Sequence, residues 1–282
     1  MPASIIIMDL QQYIRDDIKL ALAEDVGGGD ISAMLIEESE NLDLNLRVRE
    51  DAVLCGTAWF DEAFRQCADT TRLKWSAKDG DRVSADSLLC EISGPARGLL
   101  TAERTALNFL QTLSGTATIT RRYAERIQHT TCRILDTRKT IPHLRRAQKY
   151  AVQCGGGINH RMGLFDAYLI KENHLAASGG IEAAVKLGRE LQPDRFLEVE
   201  VENLDQLQQA IDAKADRALL DNFSIDMMKA AVELNSKRTQ LEASGNITDE
   251  NLLQIAETGV DFISIGALTK HLQAIDFSLR FA

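Results

Sequence analysis

From residue 133 onward the sequence repeats one pattern six times: a short apolar run, a polar or charged ending, then a helical segment. The runs are Ile134-Leu135 into Asp136-Thr137-Arg138, Tyr168-Leu169-Ile170 into Lys171-Glu172-Asn173, and Phe196-Leu197 into Glu198, Glu200 and Glu202. They continue with Ala218-Leu219-Leu220 into Asp221-Asn222, residues 241–243 into Ser244-Gly245-Asn246, and residues 262–265 into Gly266-Ala267. The last four follow one another at roughly twenty to thirty residues, about the least a strand, a helix and two loops can occupy. Repeated units of this kind imply a parallel sheet, either an open doubly wound layer or a barrel. Every conspicuous polar residue falls just after an apolar run, and barrel chemistry collects at the carboxyl ends of the strands. We therefore expect an α/β fold with an incomplete parallel barrel of about six strands. A dinucleotide fold is disfavoured, since no apolar run leads into GxGxxG with an acid about twenty residues on, and GK[ST] is absent.

The preceding part reads differently. Leu10, Tyr13, Ile14, Ile18, Ala21 and Leu22 have the spacing of an amphipathic helix, which Gly27-Gly28-Gly29 ends. The acids around those glycines could hold a metal, but a tight turn is the expectation. Strict alternation at Leu42, Leu44, Leu46 and Val48 predicts a half-buried strand. Further strands are expected at 53–55, 73–75 and 88–92, with Lys78-Asp79-Gly80-Asp81 as a turn. Residues 79–94 faintly suggest a carrier domain, but no lysine sits where such a domain is modified. After Pro95 comes a long helix, expected to break at Gly115 and resume to about Gln128. Its apolar residues cover too wide an arc for one-sided packing, while Glu103 and Arg104, taken alone, read as a solvated pair. The expected division is an α+β domain over 1–115, with the tail 271–282 packing back on it, and a barrel over 116–270.

The chain has 282 residues, a formal charge of -10 and a pI near 5.1. That charge argues against non-specific nucleic-acid or anionic-membrane partners. Against it stands the segment 133–149, with Arg133, Arg138, Lys139, Arg145, Arg146 and Lys149 facing a single acid, Asp136. Its partner should be a small anion. The five cysteines, Cys55, Cys67, Cys90, Cys132 and Cys154, show no CxxC spacing, so neither a zinc site nor a disulfide framework is expected. Reduced thiols, no targeting segment and no span-length apolar stretch predict a soluble, cytoplasmic protein.

On a barrel rim, the first two strand ends supply Arg138, Lys139 and Lys171, and the loop between them His160 and Arg161. Arginine forks bind carboxylates through paired hydrogen bonds and lysine adds a point charge, so this set suits a substrate with more than one carboxylate. Glu200 and Asp221 are hard oxygen donors of the kind that hold Mg2+ bound mainly through substrate oxygens. Ser244, Gly245, Asn246, Gly266 and Ala267 are small enough for backbone amides to approach a phosphate. Singly, each has a bland reading: a surface Arg-Lys pair, a Glu200 ion pair, a flexible glycine loop at 155–157. His129 and His143 are expected to be plain surface residues.

The runs Ala102-Glu103-Arg104-Thr105-Ala106-Leu107-Asn108, Leu135-Asp136-Thr137-Arg138-Lys139-Thr140, Cys154-Gly155-Gly156-Gly157-Ile158-Asn159-His160-Arg161-Met162-Gly163, Leu169-Ile170-Lys171, Glu198-Val199-Glu200-Val201-Glu202 and Leu220-Asp221-Asn222 closely resemble the quinolinate phosphoribosyltransferase family. The resemblance runs from about Glu24 to the C-terminus, with Ser32 where threonine is frequent and Asn246 where a second glycine is common. It implies that quinolinate is held by Arg138, His160, Arg161 and Lys171, with Lys139 between it and phosphoribosyl pyrophosphate. Glu200 and Asp221 would face the ribose and Mg2+, and Ser244, Gly245 and Gly266 the 5-phosphate. Lys139, Lys171, Glu200 and Asp221 are the expected catalytic groups. The resemblance further implies a homodimer whose site is completed by Arg104 of the other subunit, replacing the solvated reading of that residue. Arg133, Arg145, Arg146 and Lys149 are left without a role. The competing readings are a Schiff-base lyase using Lys171, a dicarboxylate-binding protein without catalysis, and a nicotinate-using transferase that releases no carbon dioxide.

Overall fold

The computed structural model describes residues 3–282, with side chains from residue 10 onward. In chain order the elements are α1 (Ala3–Val26), β1 (Asn41–Val48), β2 (Ala52–Val53), α2 (Thr57–Cys67), β3 (Arg72–Trp75), β4 (Arg82–Val83), β5 (Leu88–Pro95), α3 (Ala96–Arg126), β6 (Arg133–Leu135) and α4 (Arg145–Cys154). There follow β7 (Tyr168–Ile170), α5 (Glu172–Ser178), α6 (Ile181–Leu191), β8 (Leu197–Val201), α7 (Leu204–Asp212), β9 (Arg217–Asp221), α8 (Ile225–Asn235), β10 (Gln240–Ser244), α9 (Leu252–Ala256), β11 (Phe262–Ser264), α10 (Ala267–Lys270) and β12 (Phe277–Phe281). They group into two units, one formed by the chain up to Arg121 with Ile141–Gly155 and His271–Ala282, the other by Arg122–Thr140 and Gly156–Lys270.

The first unit is built on an antiparallel sheet in the order β12-β1-β5-β3, beside a two-stranded β2-β4 ribbon. The alternation of β1 decides its faces: Leu44, Leu46 and Val48 are buried, with Leu46 and Val48 fully so. They join a core around Trp59, Phe60 and Phe64 of α2 and Leu99, Leu110 and Leu113 of α3. Aromatic edges hold it, with Phe60 5.3 Å from Trp75 and Trp59 5.5 Å from Tyr150, ring centre to ring centre. Both indoles find an acceptor, buried Trp59 donating to Asp17 at 3.0 Å and half-buried Trp75 to Asp61 at 2.8 Å, which avoids the penalty of an unmet donor. The glycine run after α1 makes a turn: Gly29 N donates to Val26 O, and Asp30 is spent accepting from Ser32 and Ala33 amides and the Thr101 hydroxyl. The expected 53–55 strand is shorter and earlier, at Ala52–Val53.

One expectation needs correction. α3 does not break at Gly115; it runs unbroken over 31 residues. The glycine is there for clearance, because a Cβ at 115 would meet the Gln273 carbonyl oxygen at 2.2 Å. By its packing the first unit takes in α3 as far as Arg121. Residues 141–155 also group with the first unit, because Ala147 and Ala151 of α4 enter its apolar core.

The second unit is one six-stranded sheet in the order β6-β11-β10-β9-β8-β7, every pair parallel. Edge strands β6 and β7 do not pair with each other among the described residues, so this is a barrel left open. A single parallel bridge from Leu135 to Ile158 extends the β6 edge. Helices begin where side chains can take up orphan amides: Asn203 accepts from Gln206 N at α7, and Ser224 from Met227 N at α8. The register pairs Ile170 with Val199, Glu200 with Leu219, Ser244 with Asp221 and Ser264 with Leu135, so all six strands finish on one edge.

Gly115→Ala forces a methyl into a backbone carbonyl, a clash no rotamer relieves. It should lower unfolding stability by about 1–3 kcal/mol, read from urea midpoints, whereas an unchanged midpoint would show that the 115–273 approach has slack.

Candidate active site

The β6 end carries Asp136, fully buried, then Thr137 and Arg138 half-buried and Lys139 exposed. Thr137 Oγ1 accepts from Lys139 N at 3.0 Å, and the Lys139 carbonyl accepts from Thr269 at 2.8 Å, so the loop is pinned at both faces. The Lys139 side chain lies over Gly266, where a Cβ would come within 2.9 Å of its Cδ. That contact explains the glycine: it leaves room for a lysine. Next along the rim, His160 N donates to buried Asp136 at 2.9 Å, and Arg161 N donates to His160 Nδ1 at 2.7 Å. Arg161 reaches Ala167 O at 3.3 Å. Burial, and then the charge of Arg138, pulls its guanidinium below its ordinary pKa.

Lys171 ends β7 and pairs with Glu200 of β8 at 2.5 Å. Beside it, Asp221 ends β9 and accepts from Asn222 Nδ2 at 2.9 Å. Asn222, at φ 55, also accepts at its Oδ1 from Asn246 Nδ2 at 3.1 Å. Between them lies Gly245 at φ 93, where a Cβ would sit 2.2 Å from Asn222 Oδ1. Glycine is thus required twice at this point, by conformation and by space. Asn246 also has positive φ, 52°, a conformation asparagine tolerates better than most residues.

Beneath the rim the sheet carries charge where most barrels carry aliphatic side chains. Glu198 of β8 and Glu242 of β10 are fully buried, and His160 Nε2 lies 2.8 Å from the first and 3.5 Å from the second. Arg217 of β9 pairs with Glu242 at 3.0 Å and stacks over Phe262 at 4.2 Å. Burial, reinforced by Glu198, pushes Glu242 up to about 7, and burial raises Glu198 too. The Nδ1 of His160 accepts a backbone hydrogen, so its proton sits on Nε2 and faces the carboxylates. Both ring nitrogens are therefore turned to protein groups.

The second unit contains Arg138, Lys139, His160, Arg161, Lys171, Glu200, Asp221, Ser244, Gly245, Asn246, Gly266 and Ala267. Arg104 is exposed on α3 and belongs to the first unit. So do Arg145, Arg146 and Lys149, which ride on α4; Arg146 stacks on Tyr13 at 4.4 Å and Lys149 is wholly buried.

Two family descriptions match this chain: "Quinolinate phosphoribosyl transferase, N-terminal domain" over residues 30–114 and "Quinolinate phosphoribosyl transferase, C-terminal domain" over 116–280. The chain belongs to the quinolinate phosphoribosyltransferase family. Among its relatives in this family, the chloroplastic nicotinate-nucleotide pyrophosphorylase [carboxylating] of Arabidopsis thaliana is 40% identical over 93% of this chain and 81% of its own. The Mycobacterium leprae enzyme of that name is 39% identical, over 94% and 96%. The structure of the nicotinate-nucleotide pyrophosphorylase from Francisella tularensis superposes at a TM-score of 0.94 and 47% identity, covering 96% of this chain and 97% of that one. The transferase family's phosphoribosyl chemistry thus comes with a fold matched over nearly the whole chain.

Sequence reading missed Glu198, Glu242, Arg217 and Asn222 as parts of this centre. The signal was present: an acid flanked on both sides by apolar strand residues, at Leu197-Glu198-Val199 and Leu241-Glu242-Ala243.

Since Glu242 ordinarily ionises near 4.5 and in the folded chain near 7, the folded state holds a proton in that window that the unfolded chain has released. Its contribution to stability is present below the window and is lost as pH rises through it. The thermal midpoint of the wild type should fall across that range more steeply than that of Glu242→Gln; parallel profiles would place the titration elsewhere.

Proposed function

We propose that this chain joins quinolinate to phosphoribosyl pyrophosphate and releases nicotinate mononucleotide, pyrophosphate and carbon dioxide, the decarboxylating step of de novo NAD synthesis. The observation that carries it is the like-charged pair Arg138 and Arg161, held close enough that the Arg138 charge adds to burial in lowering the Arg161 guanidinium below its ordinary pKa. Such a pair is costly empty and is relieved by a dianion. Quinolinate offers two adjacent carboxylates, with Lys171 supplying a third positive group.

His160 acts from behind. With Nδ1 on the Arg161 amide and Nε2 on Glu198, it fixes the backbone that carries Arg161, and so contributes orientation more than a direct contact. Lys139, lying across Gly266, stands between the acceptor and the donor. Ser244, Gly245, Asn246, Gly266 and Ala267 receive the 5-phosphate.

Glu200 and Asp221 face the ribose. As pyrophosphate leaves, positive charge develops at C1, and two carboxylates at adjacent strand ends stabilise it without reorganising. The pyridine nitrogen attacks C1 from the opposite side, its approach set by the carboxylate grip. Once quaternised, the nitrogen withdraws electrons from the adjacent ring carbon. The carboxylate there leaves as carbon dioxide, and the carbon then takes up a proton. The residues also fit Mg2+: Glu200 and Asp221 are part-exposed hard donors, and Lys171 already occupies one Glu200 oxygen, which leaves room for an ion held largely by substrate oxygens. When bound, Mg2+ would neutralise charge on the leaving pyrophosphate.

Lys171 is an unsuitable Schiff-base nucleophile. It is ion-paired and its side chain is 46% exposed, not desolvated in an apolar pocket. The further readings offered here are a homodimer completed by Arg104 of the partner subunit and a cytoplasmic location, the latter supported by five free cysteines. No helix among the described residues is long and apolar enough to cross a membrane.

Arg138→Ala and Arg161→Ala should each lower kcat/KM for quinolinate by more than about 100-fold while circular dichroism and thermal midpoint stay near wild type, the loss expected for a charged contact to a carboxylate. Wild-type kinetics in either variant would sink the assignment. Mixing inactive Arg104→Ala with inactive Lys171→Ala subunits should restore part of the activity; no recovery after verified subunit exchange would exclude a shared site.

A further inference from the structure

Apart from this site, the first unit contains a second cluster of reactive groups that the transferase reaction does not use. The Cys55 and Cys154 sulfurs and a carboxylate oxygen of Asp79 all lie within 4.8 Å of one another. Both cysteines are fixed by their backbones. Cys55 N accepts restraint by donating to Ser114 Oγ at 3.0 Å, and its carbonyl receives the same hydroxyl at 3.1 Å. Cys154 closes α4, where Arg121 donates to its carbonyl at 2.9 Å and to that of Gly155 at 3.1 Å. Cys55 is fully buried, whereas Cys154 is partly open to solvent.

A metal suits this cluster poorly. Asp79 is already engaged, Oδ1 accepting from Gly56 N and Thr57 N at 3.1 Å and Oδ2 from the Tyr150 hydroxyl at 2.8 Å. Only three candidate ligands converge among the described residues, and the Arg121 charge lies beside them. Two sulfurs of unequal character remain. A hydrogen bond from Cys55 lowers the Cys154 thiol below its ordinary value, while burial pushes Cys55 well above. One sulfur is set up to attack and the other to hold a proton.

We propose that Cys154 and Cys55 are a reversible redox pair, in which Cys154 reacts with a hydroperoxide and Cys55 closes a disulfide. The Cys154 thiolate attacks the terminal peroxide oxygen; an S–O bond forms, the O–O bond breaks, and the departing oxygen takes a proton from solvent to leave as water or an alcohol, leaving a sulfenic acid. The Cys55 sulfur then attacks Cys154, an S–S bond forms, the S–O bond breaks, and the Cys55 proton leaves with hydroxide as water. The two sulfurs together lose two electrons and the peroxide gains them. A side-chain rotation brings the sulfurs from their present separation to a bond of about 2.05 Å. The crosslink would tie the end of α4 immediately before Gly155-Gly156-Gly157, the run of chain that leads to His160 and Arg161.

The test uses the full chain, reduced, freed of reductant, treated with hydrogen peroxide, alkylated and peptide-mapped. The expected result is loss of two of the five thiols, a mass decrease of about 2 Da, one linked Cys55–Cys154 peptide, and full reversal by dithiothreitol. Cys154→Ala should abolish the linkage, and Cys55→Ala should divert Cys154 to a sulfenic or sulfinic acid. Cys67→Ala, at a part-exposed thiol outside the cluster, should leave the linkage unchanged. Linkage through Cys67, Cys90 or Cys132, or accumulation of oxidised Cys154 in the wild type with Cys55 still alkylatable, would overturn the proposal. Should Cys55→Ala fail to fold, the wild-type map decides alone.

Discussion

Strands that run in the same direction must finish on the same side, and the ladder from β6 to β7 turns that geometric constraint into a site. Each crossover returns the chain through a helix to the opposite edge, so residues separated by more than a hundred positions in sequence, such as Lys139 and Gly266, become neighbours. Nothing in the individual strand ends requires this. A pairing slip of one residue would turn Glu200 and Ser244 to other faces and scatter the constellation.

That rim is strongly cationic on its β6 side, and the sheet below it explains how it can be. Glu198, Glu242 and Asp136 lie under the arginines, with His160 bridging the layers. Buried charge of this kind is poor as a source of stability, since desolvation offsets most of the attraction. Its value here is positional. The rim cations rest on groups that cannot move without exposing an unpaired charge to an apolar interior, so the site is organised before any ligand arrives.

The parallel sheet was legible because six apolar runs each stop at a polar residue, and the rim was legible because those stops hold unusual chemistry. The same logic put Lys171, Glu200 and Asp221 at strand ends, where the sheet places them. It failed where one residue type serves two purposes. Gly115 reads as a helix breaker, yet it is the point at which the residues around Gln273 pass close to α3. Arg145, Arg146 and Lys149, to which the sequence assigned no role, ride on α4, which groups with the first unit. Glu198 and Glu242 were hidden for the opposite reason, since an acid in an apolar strand looks like a break in pattern until its neighbours across the sheet are known.

The contact between Gly245 and Asn222 reaches beyond the site itself. With only 2.2 Å available to a Cβ, any side chain at 245 would have to displace the amide at 222, which in turn holds Asp221 and Asn246. Position 245 is therefore held to glycine by the residue at 222, and a side chain there would require a smaller residue at 222 or a rebuilt turn.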